Sequence, residues 1–192
     1  MNIAIYGGTF DPLHKGHKAI IERLSTMYDR VIVVPTTIRY YKKNNCMFSF
    51  NYRVDELKKY TKLFNNVEVD DLEFDAPYDW RFIDTLNKLI EKYPDNKFFV
   101  AMGSDSFQTF QSWHRWQDII KLATLVVFNR PGYNENLPIG IDHIWIKDID
   151  IDVSSTKLRE KMNEVLDEEK FEDYLLDLGW ATDSNGDPIE FE

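Results

Sequence analysis

The chain has 192 residues, 43% of them hydrophobic and 29% charged, enough for one globular domain with a sizeable core. No apolar run approaches the ~20 residues of a membrane span, and a formal charge of −10 argues against a general nucleic-acid surface, which needs a basic stripe to displace counterions. Cys46 is the one cysteine, so no internal disulfide can form; with no charged-then-apolar leader around "MNIAIYG", a reducing cytoplasmic setting is expected.

Apolar runs of strand length recur along the chain: "NIAIY" (2–6), "RVIVVP" (30–35), "NVEV" (66–69), "KFFVAMG" (97–103), "TLVVF" (124–128) and "HIWIKDI" (143–149). Several are continuous rather than alternating, as suits strands covered on both faces of a parallel sheet. Helical spacing falls between them. Ile20, Leu24 and Met27 form one apolar stripe; Val54, Leu57, Tyr60 and Phe64 form a second; Phe82, Leu86, Leu89 and Tyr93 form a third. Strand-then-helix repetition predicts an α/β fold, a Rossmann-like doubly wound parallel sheet with helices on both faces and further helices at the C-terminus. Such sheets bind ligands beyond the carboxyl ends of their strands, at the switch point of strand order.

The charge is unevenly spread. Residues 160–192 hold twelve Asp and Glu against Lys161 and Lys170, whereas residues 1–159 balance 21 acidic against 21 basic side chains. The body is therefore free to be locally positive where a phosphate must bind. Residues 166–192 are expected to form an acidic amphipathic helix ending near Gly179, then a polar tail that is partly disordered.

Three stretches carry chemistry. In "IYGGTFDPLHKGH" (5–17), Gly7 and Gly8 close the first predicted strand and leave backbone N–H groups open to a ligand. A helix is expected from Gly16 or His17, aiming its positive end at the same point. His14 and His17 can each offer a hydrogen bond or a positive charge to phosphate oxygens. The plainer alternative is a strand-to-helix turn with two surface histidines. In "DVSSTKLRE" (152–160), Ser154 or Ser155 would cap a helix whose first turn brings Thr156 and Arg159 to an anion; an ordinary capped helix with a basic face is the alternative. In "GSDSFQTFQSWHRW" (103–116), Asp105 follows a strand-ending glycine and Trp113 begins an aromatic cluster, which taken alone reads as packing.

The string "GGTFDPLHKGH" resembles the H-x-G-H signature of the nucleotidyltransferase superfamily, and across its eleven residues the adenylyltransferases of nicotinate mononucleotide. "SSTKLR" resembles the superfamily's S-S-T-x-x-R element, and residues 98–133, ending in "RPGY", resemble the matching stretch of the same enzymes. The resemblance covers residues 1–165, read as one nucleotidyltransferase domain, with 166–192 attached to it or flexible. It implies transfer of the adenylyl group of ATP to nicotinate or nicotinamide mononucleotide, with Mg²⁺ carried by ATP and no separate protein metal site. It implies His14, His17, Lys42 and Arg159 as the catalytic groups. Gly7, Gly8, Thr9, Phe10, Gly16, Gly103, Asp105, Ser154, Ser155 and Thr156 would surround ATP. Thr85, Trp113 and Arg130 would meet the pyridine nucleotide. In "VVPTTIRYYKK" (33–43), Arg39, Tyr40 and Tyr41 stand where the family usually has two prolines and a histidine, and Lys42 keeps the basic position. Another adenylyl- or cytidylyltransferase, such as one acting on phosphopantetheine, and a non-catalytic nucleotide sensor are the competing expectations. A homo-oligomer is compatible with the sequence; a nucleic-acid or membrane partner is not expected.

Overall fold

The computed structural model describes residues 1–37, 48–130, 133, 140–147, 149, 181–182 and 188–189. In chain order the body runs β1 (Asn2–Gly8), α1 (Lys15–Met27), β2 (Arg30–Pro35), α2 (Phe50–Thr61), β3 (Val67–Val69), α3 (Phe82–Lys92) and β4 (Lys97–Gly103). It continues through α4 (Ser104–Gln108), a 3₁₀ turn (Phe110–Ser112), α5 (Trp116–Leu122), β5 (Ala123–Phe128) and β6 (His143–Ile146). The six strands form one parallel sheet in the order β3-β2-β1-β4-β5-β6. The sheet is the Rossmann-like arrangement expected from the sequence, and its order reverses between β1 and β4.

Side-chain alternation along each strand divides the core in two. Ile3 and Ile5 of β1 join Ile83, Leu86 and Leu89 of α3 and Ile119 of α5 on one face. Ala4 and Tyr6 join Ile20, Ile21 and Leu24 of α1 and Leu57 of α2 on the other. Because both faces are covered, β2 can be apolar without a break, and Val31 to Val34 are all fully buried. Truncating one such core leucine to alanine costs about 2–5 kcal/mol, so the two layers hold the strand ends in place.

The structure differs from the sequence expectations at element ends. Phe64 and Tyr93 fall beyond α2 and α3, yet both pack against the core. β6 stops at Ile146 rather than running to residue 149. α4, the 3₁₀ turn and α5 are too short to show a full amphipathic repeat in sequence. Ala181–Thr182 pairs antiparallel with Pro188–Ile189, where a polar, partly disordered tail is expected. Cys46 and the expected helix before Gly179 lie outside the described residues. Among the described residues, no helix is long and apolar enough to cross a membrane.

Candidate active site

The opening turn forms at the carboxyl end of β1, beside the switch point. After Gly8 the chain reverses through Phe10, which takes a left-handed backbone at φ 48°. That conformation is unfavourable for a bulky residue and persists only where packing over-determines it. Here the Phe10 ring is fully buried, meeting Tyr6 edge-on at 5.4 Å and His17 edge-on at 4.9 Å. A Cβ on Gly8 would lie 3.0 Å from that ring. The missing side chain at Gly8 thus makes room for the protein's own Phe10, not only for a ligand. Thr9 is half-buried, and its carbonyl accepts from Arg53.

α1 begins one residue earlier than the sequence suggests, at Lys15, with His14 as its N-cap. The two imidazoles close a reciprocal capping box. His14 Nδ1 accepts from the His17 N–H, and His17 Nδ1 accepts from the His14 N–H, each at 3.4 Å. The rings stack at a centroid distance of 3.6 Å, tilted by only 20°. Each Nδ1 must keep its lone pair to accept, so each ring presents its N–H at Nε2. Burial holds the His17 imidazole well below its usual value, and His14 and then the Arg130 guanidinium push it the same way. His17 is therefore a neutral donor, the first of the two roles, hydrogen bond or positive charge, that the sequence leaves open. The histidines are also not surface residues: His14 is fully buried and His17 is 8% exposed.

The second side of the site forms at the ends of β4 and β5, where Gly103 and Phe128 are paired in register. Arg130 Nη1 donates to Asp105 Oδ2 at 3.2 Å, and the Arg130 N–H donates to Ser104 Oγ at 2.9 Å. A Cβ on Gly103 would stand 2.5 Å from Asp105 Oδ1 and 3.2 Å from Arg130 Nε, so glycine leaves the passage this pair occupies. The sequence reading divides Asp105 and Arg130 between two substrates; the structure joins them in one ion pair. Burial raises the proton affinity of the Tyr6 phenol near the end of β1, and more weakly Arg130 lowers it and Asp105 raises it, so the two sides share one electrostatic environment.

The third side comes from α3. Phe82, its first residue, meets Trp113 edge-on at 5.3 Å, and Phe110 tilts against Trp113 at 5.4 Å. Trp113 is half-buried against the core, fixed by these rings while keeping part of its surface open. The Thr85 side chain is fully buried: its hydroxyl donates to Glu73 Oε1 at 2.6 Å and accepts from Trp80 Nε1 at 2.9 Å. The Thr85 hydroxyl is thus engaged in an internal bridge. Lys42, Ser154, Ser155, Thr156 and Arg159 lie outside the described residues.

Three residues that sequence reasoning overlooked hold the turns together. Arg53 is 3% exposed; its Nη1 donates to the carbonyls of Thr9 and Thr36, tying the turn after β1 to the one after β2. Its signal was available, since a cation at 53 sits on the same stripe as Val54 and Leu57. Asp11 accepts the Phe48 N–H at 2.9 Å. Glu73 accepts from Thr85 and Thr37, and burial raises its carboxyl above the usual range against the opposing pull of those bonds. One acid among several in "DDLEFD" gives no sign of this.

Known proteins resemble the chain throughout. Residues 5–161 match the family described as Cytidylyltransferase-like. A protein of Fusobacterium nucleatum named "Probable nicotinate-nucleotide adenylyltransferase" is 34% identical over 171 residues, covering 84% of this chain and 88% of the relative. One of the same name from Aliarcobacter butzleri is 30% identical over 180 residues, covering 93% and 97%. Among solved structures, Plasmodium falciparum nicotinic acid mononucleotide adenylyltransferase, complexed with NaAD, shares the fold at a TM-score of 0.66 and 18% identity, covering 91% of this chain and 94% of that one.

Proposed function

Because the chain belongs to the cytidylyltransferase-like family, and within it to the nicotinate-nucleotide adenylyltransferases, we infer that it transfers the adenylyl group of ATP to nicotinate mononucleotide in NAD biosynthesis. A phosphate oxygen of the mononucleotide bonds to the α-phosphorus as the bond to the β-phosphate bridge breaks and pyrophosphate leaves. The attacking phosphate is already an anion at neutral pH, so neither a covalent nucleophile nor a general base is required. The work is to hold two repelling groups in line and to stabilise charge on the leaving group. Two unit charges ~4 Å apart repel by about 4 kcal/mol at an effective dielectric near 20.

The observation that carries this reading is the stacked, reciprocally capped His14–His17 pair at the start of α1, beside the switch point of the sheet. Nε2–H donors fixed before substrate arrives stabilise developing phosphate charge without reorganising, and the positive end of α1 adds to them. The family likeness adds Lys42 and Arg159 as the cations, Ser154, Ser155 and Thr156 around the triphosphate, Asp105 at the ribose, and Trp113 against the pyridine ring. Mg²⁺ would enter with ATP on its phosphate oxygens. Among the described residues no group of three or more His, Cys, Asp or Glu is arranged to hold a metal ion.

One assay tests the reading: incubation with Mg²⁺-ATP and a panel of acceptors, followed by detection of pyrophosphate and of the joined product. Nicotinate mononucleotide should be the productive acceptor. Turnover with phosphopantetheine instead, or ATP binding with no product from any acceptor, would replace the reading.

A further inference from the structure

Glu73 stands in the turn between β3 and α3 with 7% of its surface exposed. A carboxylate in such a place is costly unless hydrogen bonds hold it, and an apolar residue of similar size would fill the space at less expense. Both of its oxygens are used. Oε1 accepts the Thr85 hydroxyl at 2.6 Å, and Oε2 accepts the Thr37 N–H at 3.3 Å. The Glu73 carbonyl also accepts the Thr37 hydroxyl at 2.6 Å. The Thr85 hydroxyl is set in turn by Trp80 Nε1 at 2.9 Å. One buried side chain thus joins the exit of β2, its own turn and the first turn and a half of α3.

Those stretches lead to the acceptor side of the site. Thr37 immediately precedes the segment that contains Lys42. α3 starts with Phe82, the ring against which Trp113 is set. We propose that Glu73 is the positioning residue of the pyridine-nucleotide subsite, fixing the exit of β2 against the start of α3 without touching either substrate. The proposal rests on the functional reading above. Among the described residues, Asp105 and Arg130, on the far side of β1, share no hydrogen bond with this network, so Glu73 should act on the pyridine nucleotide more than on ATP.

The test is steady-state kinetics of the full chain, varying ATP and nicotinate mononucleotide separately, with a thermal melt of each variant. Glu73→Ala should raise KM for nicotinate mononucleotide by about tenfold or more, the scale of a lost charge-assisted hydrogen bond, and move KM for ATP less than ~2-fold. Glu73→Gln can accept the Thr37 N–H through its oxygen and donate to Thr85 through its amide, so it should return KM to within ~3-fold of the parent. Equal rises in both KM values, a loss of kcat alone, or a Glu73→Gln variant as impaired as Glu73→Ala would each overturn the proposal. Should Glu73→Ala fail to fold, Thr37→Val decides, since it removes only the hydroxyl bond to the Glu73 carbonyl: a selective rise in acceptor KM supports the proposal and an unselective one overturns it. A parent chain that makes no dinucleotide from nicotinate mononucleotide removes the functional reading, and this proposal with it; a parent that does so while its variants show no acceptor-selective change removes this proposal alone.

Discussion

The turn after β1 and the corner formed by β4 and β5 face one site but are built on opposite plans. In the turn, two imidazoles are fixed by backbone amides three residues apart, stacked on each other and buried. At the corner, a carboxylate and a guanidinium from residues 25 positions apart meet at 3.2 Å, with side chains 40% and 22% exposed. The first arrangement is buried and preorganised, with His17 neutral. The second is wetted and charged, and its bond is one that solvent screens. Groups that must meet charge developing in a transition state gain from being fixed beforehand. Groups that only bind a nucleotide can reorganise on its arrival. On the proposed function, we infer from this contrast that rate belongs to the turn and affinity to the corner.

The largest effect should come from the turn. His17→Ala removes one Nε2–H donor, and kcat should fall ~10²-fold or more. The same change deletes one arm of the capping box, at about 1 kcal/mol, so the variant should melt somewhat earlier but stay folded. A variant with parental turnover would remove His17 from the mechanism and erase the contrast.

The corner should respond in KM. At Gly103 φ is −76°, so alanine meets no backbone strain, yet its Cβ falls 2.5 Å from Asp105 Oδ1. Gly103→Ala should displace the carboxylate and raise KM for ATP by about tenfold, roughly one charged hydrogen bond reduced by screening, with kcat little changed. A fall in kcat matching that of His17→Ala would mean that both regions serve the same step.

Trp113→Ala should raise KM for the pyridine nucleotide by a few-fold to ~30-fold, the range of a stacking and cation–π contact worth about 0.5–2 kcal/mol. Its effect on ATP should be small. Because Phe82 and Phe110 already hold the indole, equal effects on both substrates would assign Trp113 to packing instead.

How far each region could be read from sequence follows from how it is held. The sheet was legible because strands buried on both faces leave unbroken apolar runs such as "VIVV", and helices α1 to α3 because each shows a full apolar stripe. The turn was legible as a motif, since all its parts lie between Gly7 and His17. Its charge state was not: the neutrality of His17 arises first from burial, then from His14 and Arg130, and of these only His14 lies in the local string. The Asp105–Arg130 pair and the Glu73 network were hidden for a related reason. Their members are 25, 12 and 36 positions apart, and only the crossovers of the sheet bring them together.

The smallest effect joins the two regions through pH. An unfolded His17 takes up a proton as pH falls through ~6.5, whereas the folded imidazole, held lower, does not. Above ~6.5 both states are neutral and His17 contributes nothing to the slope. Below it the unfolded state binds the extra proton, so stability is lost as pH falls toward the folded value, at up to about 1.4 kcal/mol per pH unit for one proton. Protonation at Nδ1 would also sever the bond from the His14 N–H, which reinforces the same sign. His17→Gln keeps an acceptor at the third position of the helix, as capping boxes commonly do, but cannot titrate. Denaturant melts between pH 5 and 8 should therefore show a shallower acid limb for His17→Gln than for the parent. Arg130→Ala should relax the folded value upward and shorten the parent's limb by a smaller amount, since the guanidinium ranks behind burial and His14 among the causes. An acid limb unchanged by Arg130→Ala would show that the corner does not reach the turn electrostatically.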